Sequence, residues 1–292
     1  MRVYVSGATG FVGGHVAREL RDRGAEVVDE RVDLLDRAGL ERVVAGCDAV
    51  VHVAALYSYD DPAELLERVN VEGTRTMLEV AGKAGVRRFV HCSTAGTCGP
   101  VSGRPATEED APPDWELAVP YKRTKLAAER LALAAGAVVV NPTTPVGDGD
   151  TKPTPTGRMI AGVARGRIRG YVATTGLNVV DVRAVARGHA LALERGEPGE
   201  RYLLGGLDLP LADLFAAIAR LGGLSRPRLR VPYAVAQMAG IAGIVNRDEV
   251  RLARLPMYFS SEKARSRLGY EPGPVEPALA RAVSEALTKG GA

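Results

Sequence analysis

Val3-Tyr4-Val5-Ser6-Gly7-Ala8-Thr9-Gly10-Phe11-Val12-Gly13-Gly14 is the stretch that decides the fold. Three apolar residues make a short strand, the glycines make a turn, and a helix is predicted from about Val12 to Arg23. That order suits a pyrophosphate. Gly7 permits the tight turn, Gly10 lets phosphate oxygens approach backbone N–H groups, and Gly13 lets helix and strand pack closely. The spacing is Gly-x-x-Gly-x-x-Gly rather than the Gly-x-Gly-x-x-Gly of long-chain dehydrogenases.

Downstream, Glu26-Val27-Val28 reads as a second strand leading into Asp29-Glu30-Arg31-Val32-Asp33-Leu34. An acid there binds the ribose hydroxyls of NAD, whereas an arginine accepts the extra phosphate of NADP; Asp29 and Arg31 compete, and the choice stays open. Asp33-Leu34 reads either as a strand end flanking the adenine or as a surface turn. The run from Ala49 through Val53 to Ala54 and Ala55 is a buried strand, with His52 inside it as a packed core histidine. Asn70 is placed to brace the backbone behind a site, and Arg88 to Thr94 is a further strand. Ligands of open parallel sheets lie beyond the strands' carboxyl ends, which puts Thr94 next to a substrate oxygen.

Tyr121-Lys122-Arg123-Thr124-Lys125 opens a helix after Pro120. Positions four apart share a helix face, so a phenol and an ammonium stand one turn from each other. The lysine is expected to pull the phenol's pKa down and make Tyr121 an acid or base on a substrate oxygen. Between these elements, Gly99 to Pro120 reads as a loop whose Trp115 either borders the substrate or pins the loop. After the strand Ala137 to Val140, the chain breaks at Asn141-Pro142-Thr143-Thr144-Pro145. Met159 to Arg169 reads as a helix whose arginines form a solvated basic face or, as the alternative, meet a phosphate-bearing substrate; Val179 to Val182 reads as a strand returning to the first domain, and two or three helices as following Leu209. The apolar run from Val231 to Val245 reads as a buried helix.

The 292 residues carry 38 basic and 35 acidic side chains, a net +3 that argues against nucleic acid as a partner. Cys47, Cys92 and Cys98 lack metal-ligand spacing; reduced thiols in a cytoplasmic protein are expected, with no metal. No apolar run is long enough for a membrane span.

Together, Gly7-x-x-Gly10-x-x-Gly13, His52-Val-Ala-Ala55, Asn70-Val-x-Gly-Thr74, Ser93-Thr94, Tyr121-x-x-x-Lys125 and Asn141-Pro142 resemble the extended short-chain dehydrogenase/reductase superfamily. Within it the chain is most similar to hopanoid-associated sugar epimerases and dihydroflavonol-reductase-like proteins, through Val140 to Gly147 and Lys152 to Arg158. The resemblance implies an α/β, Rossmann-like, doubly wound parallel sheet with a smaller, mostly helical substrate-binding lobe. Residues 1–141 would form the dinucleotide domain, with 178–205 returning to it; 142–177 and 206–292 would form the lobe. It also implies catalysis by Thr94, Tyr121 and Lys125 with NAD or NADP. The expected cofactor contacts are Gly7, Thr9, Gly10, Phe11, Val12, Gly13, Asp29, Arg31, Asp33, Leu34, Val53, Ala54, Ala55, Tyr57, Asn70, Cys92, Tyr121, Lys125, Asn141, Pro142 and Thr143. Expected substrate contacts are Leu56, Ala95, Gly96, Trp115, Asn141, Thr144, Met159 and Tyr171.

The expected activity is hydride transfer between nicotinamide and a carbonyl or secondary alcohol of a small molecule, by a possible homodimer. The alternatives are a nucleotide-sugar epimerase retaining NAD, and an inactive dinucleotide-binding sensor, which typically lacks the Tyr or Lys. Dehydratases of the superfamily carry Asp-Glu after the Thr; Ala95-Gly96 stand here, so dehydration is discounted. Val182-Arg183-Ala184-Val185-Ala186, where the family has Val-Asp-Asp-Val-Ala, is expected to leave a helix without its capping acid.

Overall fold

A computed structural model describes residues 1–288. The first half runs β1 (Arg2–Ser6), α1 (Phe11–Asp22), β2 (Glu26–Val28), α2 (Arg37–Val44), β3 (Ala49–His52), α3 (Ala63–Leu66), α4 (Gly73–Lys83), β4 (Arg88–Cys92), α5 (Asp114–Leu117), α6 (Pro120–Ala134) and β5 (Val138–Pro142). Then follow β6 (Thr144–Val146), α7 (Pro155–Ala164), β7 (Gly170–Val172), β8 (Gly176–Asp181), α8 (Val182–Arg195), β9 (Arg201–Leu204), β10 (Leu207–Pro210) and α9 (Leu211–Leu221). The chain continues with β11 (Leu229–Val231), α10 (Tyr233–Ile241), α11 (Arg247–Leu252), α12 (Glu262–Leu268) and α13 (Glu276–Thr288).

Six strands form one parallel sheet in the order β2-β1-β3-β4-β5-β9. Side chains alternate across a strand, so both faces of a doubly covered sheet must be apolar. In β1, Val3 and Val5 pack with Val16 and Leu20 of α1 and Val185 and Leu191 of α8. The intervening Tyr4 packs on the other face, with Leu40 of α2 and Met77 of α4. Chain order reverses between β1 and β3, and a cleft opens at such a switch point beyond the carboxyl ends of the strands.

A second apolar cluster lies outside this sheet. It joins Val146 and Val179 to Ile160 and Val163 of α7, Leu214 and Ile218 of α9, and Leu279 and Val283 of α13.

Several expectations need correcting. Asp33-Leu34 is a turn with no strand: Asp33 Oδ1 accepts from the Leu35 N–H at 3.0 Å, and Leu34 is buried against Gly73 and the α2–α4 core. The strand at Val179 does not rejoin the large sheet. Its Gly176–Asp181 segment pairs with β10 and β6 in a three-stranded sheet, and the return begins only with α8. The helix predicted to reach Arg169 stops at Ala164, where Gly166 adopts φ +68°. Nor does α8 lack a capping acid, because Asp181 accepts from the Arg183 N–H at 2.9 Å. Among the described residues five helices, rather than two or three, follow Leu209. The run through α10 is exposed instead of buried: Met238 is 72% and Ile244 76% accessible.

Candidate active site

The glycine turn is shaped for close approach. Gly7 holds φ +73°, a conformation costly for any other residue, and a Cβ on it would lie 2.8 Å from the Ala54 backbone. A Cβ on Gly13 would sit 2.1 Å from the Gly7 carbonyl oxygen. Gly10 caps α1 without a side-chain bond, leaving first-turn N–H groups aimed into the cleft with no capping side chain in the way.

Behind the turn, a polar chain fixes the neighbouring loop. Ser6 Oγ accepts from the N–H groups of Val53 and Ala54, both at 3.1 Å, so its own proton goes to His52 Nδ1 at 2.7 Å. His52 Nε2–H then donates to Thr74 Oγ1 at 3.1 Å, and Thr74 donates to the Asn70 carbonyl at 2.7 Å. Each step specifies a neutral imidazole, and burial and the nearby Lys125 push its pKa down to about 3.

Tyr121 and Lys125 lie on the first turns of α6, both buried. Lys125 Nζ donates to the Cys92 carbonyl oxygen at 2.7 Å, tying the helix to the end of β4. The Tyr121 ring stacks on Tyr57 with centroids 4.6 Å apart and meets Tyr59 edge-on at 6.0 Å. Burial, then Tyr57 and Cys92, hold the phenol well above its ordinary pKa. Burial likewise lowers the ammonium of Lys125. The expectation of a phenol acidified by its lysine is therefore corrected. Low-dielectric surroundings favour the neutral form of both groups, and the carbonyl of Cys92 rather than the phenol takes the lysine's proton donor.

These residues line a cleft of ≈ 800 Å³. It gathers Gly7, Thr9, Gly10, Phe11, Val12, Gly13, Asp29, Arg31, Val53, Ala54, Ala55, Tyr57, Cys92, Thr94, Ala95, Gly96, Tyr121, Lys125, Pro142, Thr143, Thr144 and Met159. Seven expected contacts lie elsewhere. Asp33 and Leu34 belong to the turn described above. Asn70 is buried behind the wall, where its amide holds both the N–H and the carbonyl of Leu56 and reaches Thr124. Leu56 itself packs among Leu66, Val119 and Tyr121. Asn141 is fully buried and donates to Thr97 Oγ1 and Glu129, locking β5 to α6. Trp115 sits on α5 rather than in a loop and lies under Arg254, 5.5 Å away. Tyr171 stacks edge-on against Phe215 in the second apolar cluster.

Ser93 and Lys122 join the cleft without having been expected there. Ser93 and the expected Thr143 present buried hydroxyls that lack a partner among the described residues, so polar atoms stand open along the wall. Lys122 also lines it, paired with the fully buried Glu116 at 3.0 Å. Gly96 makes room for that ammonium, since a Cβ there would fall 2.0 Å from Nζ. A lysine directly after Tyr121 looks like a solvated helix position in sequence; only Glu116, six residues earlier, hints otherwise.

The family model described as "NAD dependent epimerase/dehydratase family" matches residues 3–205. The chain belongs to that family. As an NAD dependent epimerase/dehydratase family member it is an enzyme of the extended short-chain dehydrogenase/reductase type. It is 36% identical to a "Putative dihydroflavonol 4-reductase" of Synechocystis sp., over 96% of this chain and 93% of that protein. It is 31% identical to "Sterol demethylase protein B" of Methylococcus capsulatus, over 97% and 98% of the two chains. Among solved structures, gox2253 superposes with a TM-score of 0.87 at 35% identity, covering 99% of this chain and 98% of that one. The gox2253 structure thus shares this chain's fold over nearly its whole length.

Proposed function

We propose that the enzyme is an NAD(P)-dependent reductase of a carbonyl borne on a largely apolar skeleton, with Tyr121 as the proton donor. The observation that carries this is the neutral phenol of Tyr121, buried in the wall of a cleft whose other end is a glycine cradle. The cradle fits a dinucleotide. Gly7, Gly10 and Gly13 leave the room a pyrophosphate needs, the N-terminal N–H groups of α1 would take its oxygens, and the open hydroxyls of Ser93 and Thr143 lie further along the wall. When bound, the nicotinamide supplies the hydride.

The chain's own residues supply the rest. Tyr121 keeps its proton at neutral pH and can deliver it to the substrate oxygen as negative charge grows there. The Thr94 hydroxyl would donate to the same oxygen, and Lys125, anchored on Cys92, fixes the turn of α6 that carries the phenol. Met159, Leu252, Met257 and Phe259 make the substrate half of the cleft apolar. Two of the relatives are named for flavonoid and sterol chemistry, and such skeletons suit that lining. Elimination of water has no support, because Ala95-Gly96 stand where dehydratases carry the Asp-Glu pair that would serve as acid and base.

Tyr121→Phe tests the assignment. With dihydroflavonols and ketosteroids as substrates, the variant should lose roughly two to four orders of magnitude in kcat, the range for losing a general acid, while NAD(P)H still binds in calorimetry. Near-wild-type turnover, or an equal loss of dinucleotide binding, would reject Tyr121 as the donor.

A further inference from the structure

We propose that the exposed face of α10 docks on the surface of an anionic lipid bilayer. Val235 is 57%, Met238 72%, Ile241 69% and Ile244 76% accessible, and Val245 continues the same face. Their spacing of three places them along one side of the helix and its end. An unpartnered apolar surface of this kind marks an interaction site. The opposite side is not free, since Gly240 brings α10 onto the backbone of Arg247 at the start of α11.

Charge selects the occupant. Residues 222–247 contain Arg226, Arg228, Arg230 and Arg247 and no acidic residue. All four arginines are exposed, and none has an ion-pair partner among the described residues. A second copy packed about a two-fold axis would set this cationic segment against itself. A protein partner would ask for hydrogen-bonding groups at ordinary density, yet Gln237 is the sole side-chain amide on α10. An apolar face within a cationic, acid-free segment fits lipid acyl chains below anionic headgroups. None of the described helices is long and apolar enough to cross a membrane, so the contact would be peripheral. It would also orient the enzyme, because Glu249 and Leu252 of the adjoining α11 line the cleft, bringing its mouth toward the bilayer.

The full-length protein is to be sedimented with vesicles of phosphatidylcholine containing phosphatidylglycerol, and with vesicles of phosphatidylcholine alone. Binding is expected to the first, about tenfold weaker to the second, and weaker as salt rises. Ile241→Asp should abolish sedimentation without lowering the melting temperature. Arg226→Gln and Arg228→Gln should each weaken binding about fivefold. The proposal is overturned by binding that ignores vesicle charge, by absence of binding, or by arginine variants that bind like the wild type. A drop in molecular mass in Ile241→Asp without vesicle binding would give the face to a second copy and overturn it equally. The readout is independent of catalysis, so it stands apart from any failure of the reductase assignment.

Discussion

At the scale of single residues, the pairing of Tyr121 with Lys125 was legible because helical geometry alone puts positions four apart on one face. Its electrostatics were not, because they depend on burial and on Tyr57 and Cys92, which the chain brings in from the loop after β3 and from β4. Preference for the extra phosphate of NADP belongs to this scale too. Asp29 and Arg31 both line the cleft, but Asp29 is held by Arg21 at 2.5 Å, whereas Arg31 has no partner among the described residues. An exposed ion pair is worth at most about 1 kcal/mol, so Asp29 can exchange it for a ribose hydroxyl. Arg31→Ala should therefore weaken NADP binding about tenfold and NAD binding little, as one charge-assisted contact is worth roughly 1.5–3 kcal/mol. Equal losses for both dinucleotides in titration calorimetry would show that Arg31 does not meet the phosphate.

At the scale of elements, β1, β2 and α1 were readable within a residue or two because each follows from local periodicity and glycine chemistry. Helix α10 was misjudged for the opposite reason. An apolar run of strand or helix length says nothing about whether another element will cover it, and among the described residues none does on its outer face. The cap of α8 shows how one residue of misplacement changes a conclusion. The acid that begins the helix is Asp181, whose Oδ1 takes the Arg183 N–H while its Oδ2 pairs with Arg281 at 2.8 Å. That links the start of α8 to α13 across the junction of the two apolar clusters. Asp181→Ala should cost about 1–2 kcal/mol in urea unfolding through the lost cap. Asp181→Asn, which keeps the cap oxygen, should cost clearly less; equal costs would shift the credit from the cap to the Arg281 ion pair.

At the scale of the whole molecule, the parallel sheet and the cleft at its switch point followed from order alone: strand, glycine turn, helix, strand. What order could not reveal is how far the buried polar groups knit the halves together. His52, His91 and His189 are all buried in the large sheet or against it. Burial first, and for His52 and His91 also the charge of Lys125, lowers their pKa values, to about 3 for His52 and about 4 for His189. The unfolded chain takes up these protons near the ordinary 6.5, so the unfolded state binds more protons throughout the interval below it. The stability held by neutral histidines is thus complete above that value and drains as pH falls toward 4. Three such groups give a slope of up to ~4 kcal/mol per pH unit, each contributing about 1.4. Urea midpoints at pH 7 and pH 5 measure it. His91→Leu, which removes a ring whose two nitrogens lack partners among the described residues, should take away about a third of the histidine slope. A midpoint that does not move between those two pH values would mean the imidazoles can ionise in place, and the chain from Ser6 through His52 to Asn70 would then not be the rigid wall of the cleft.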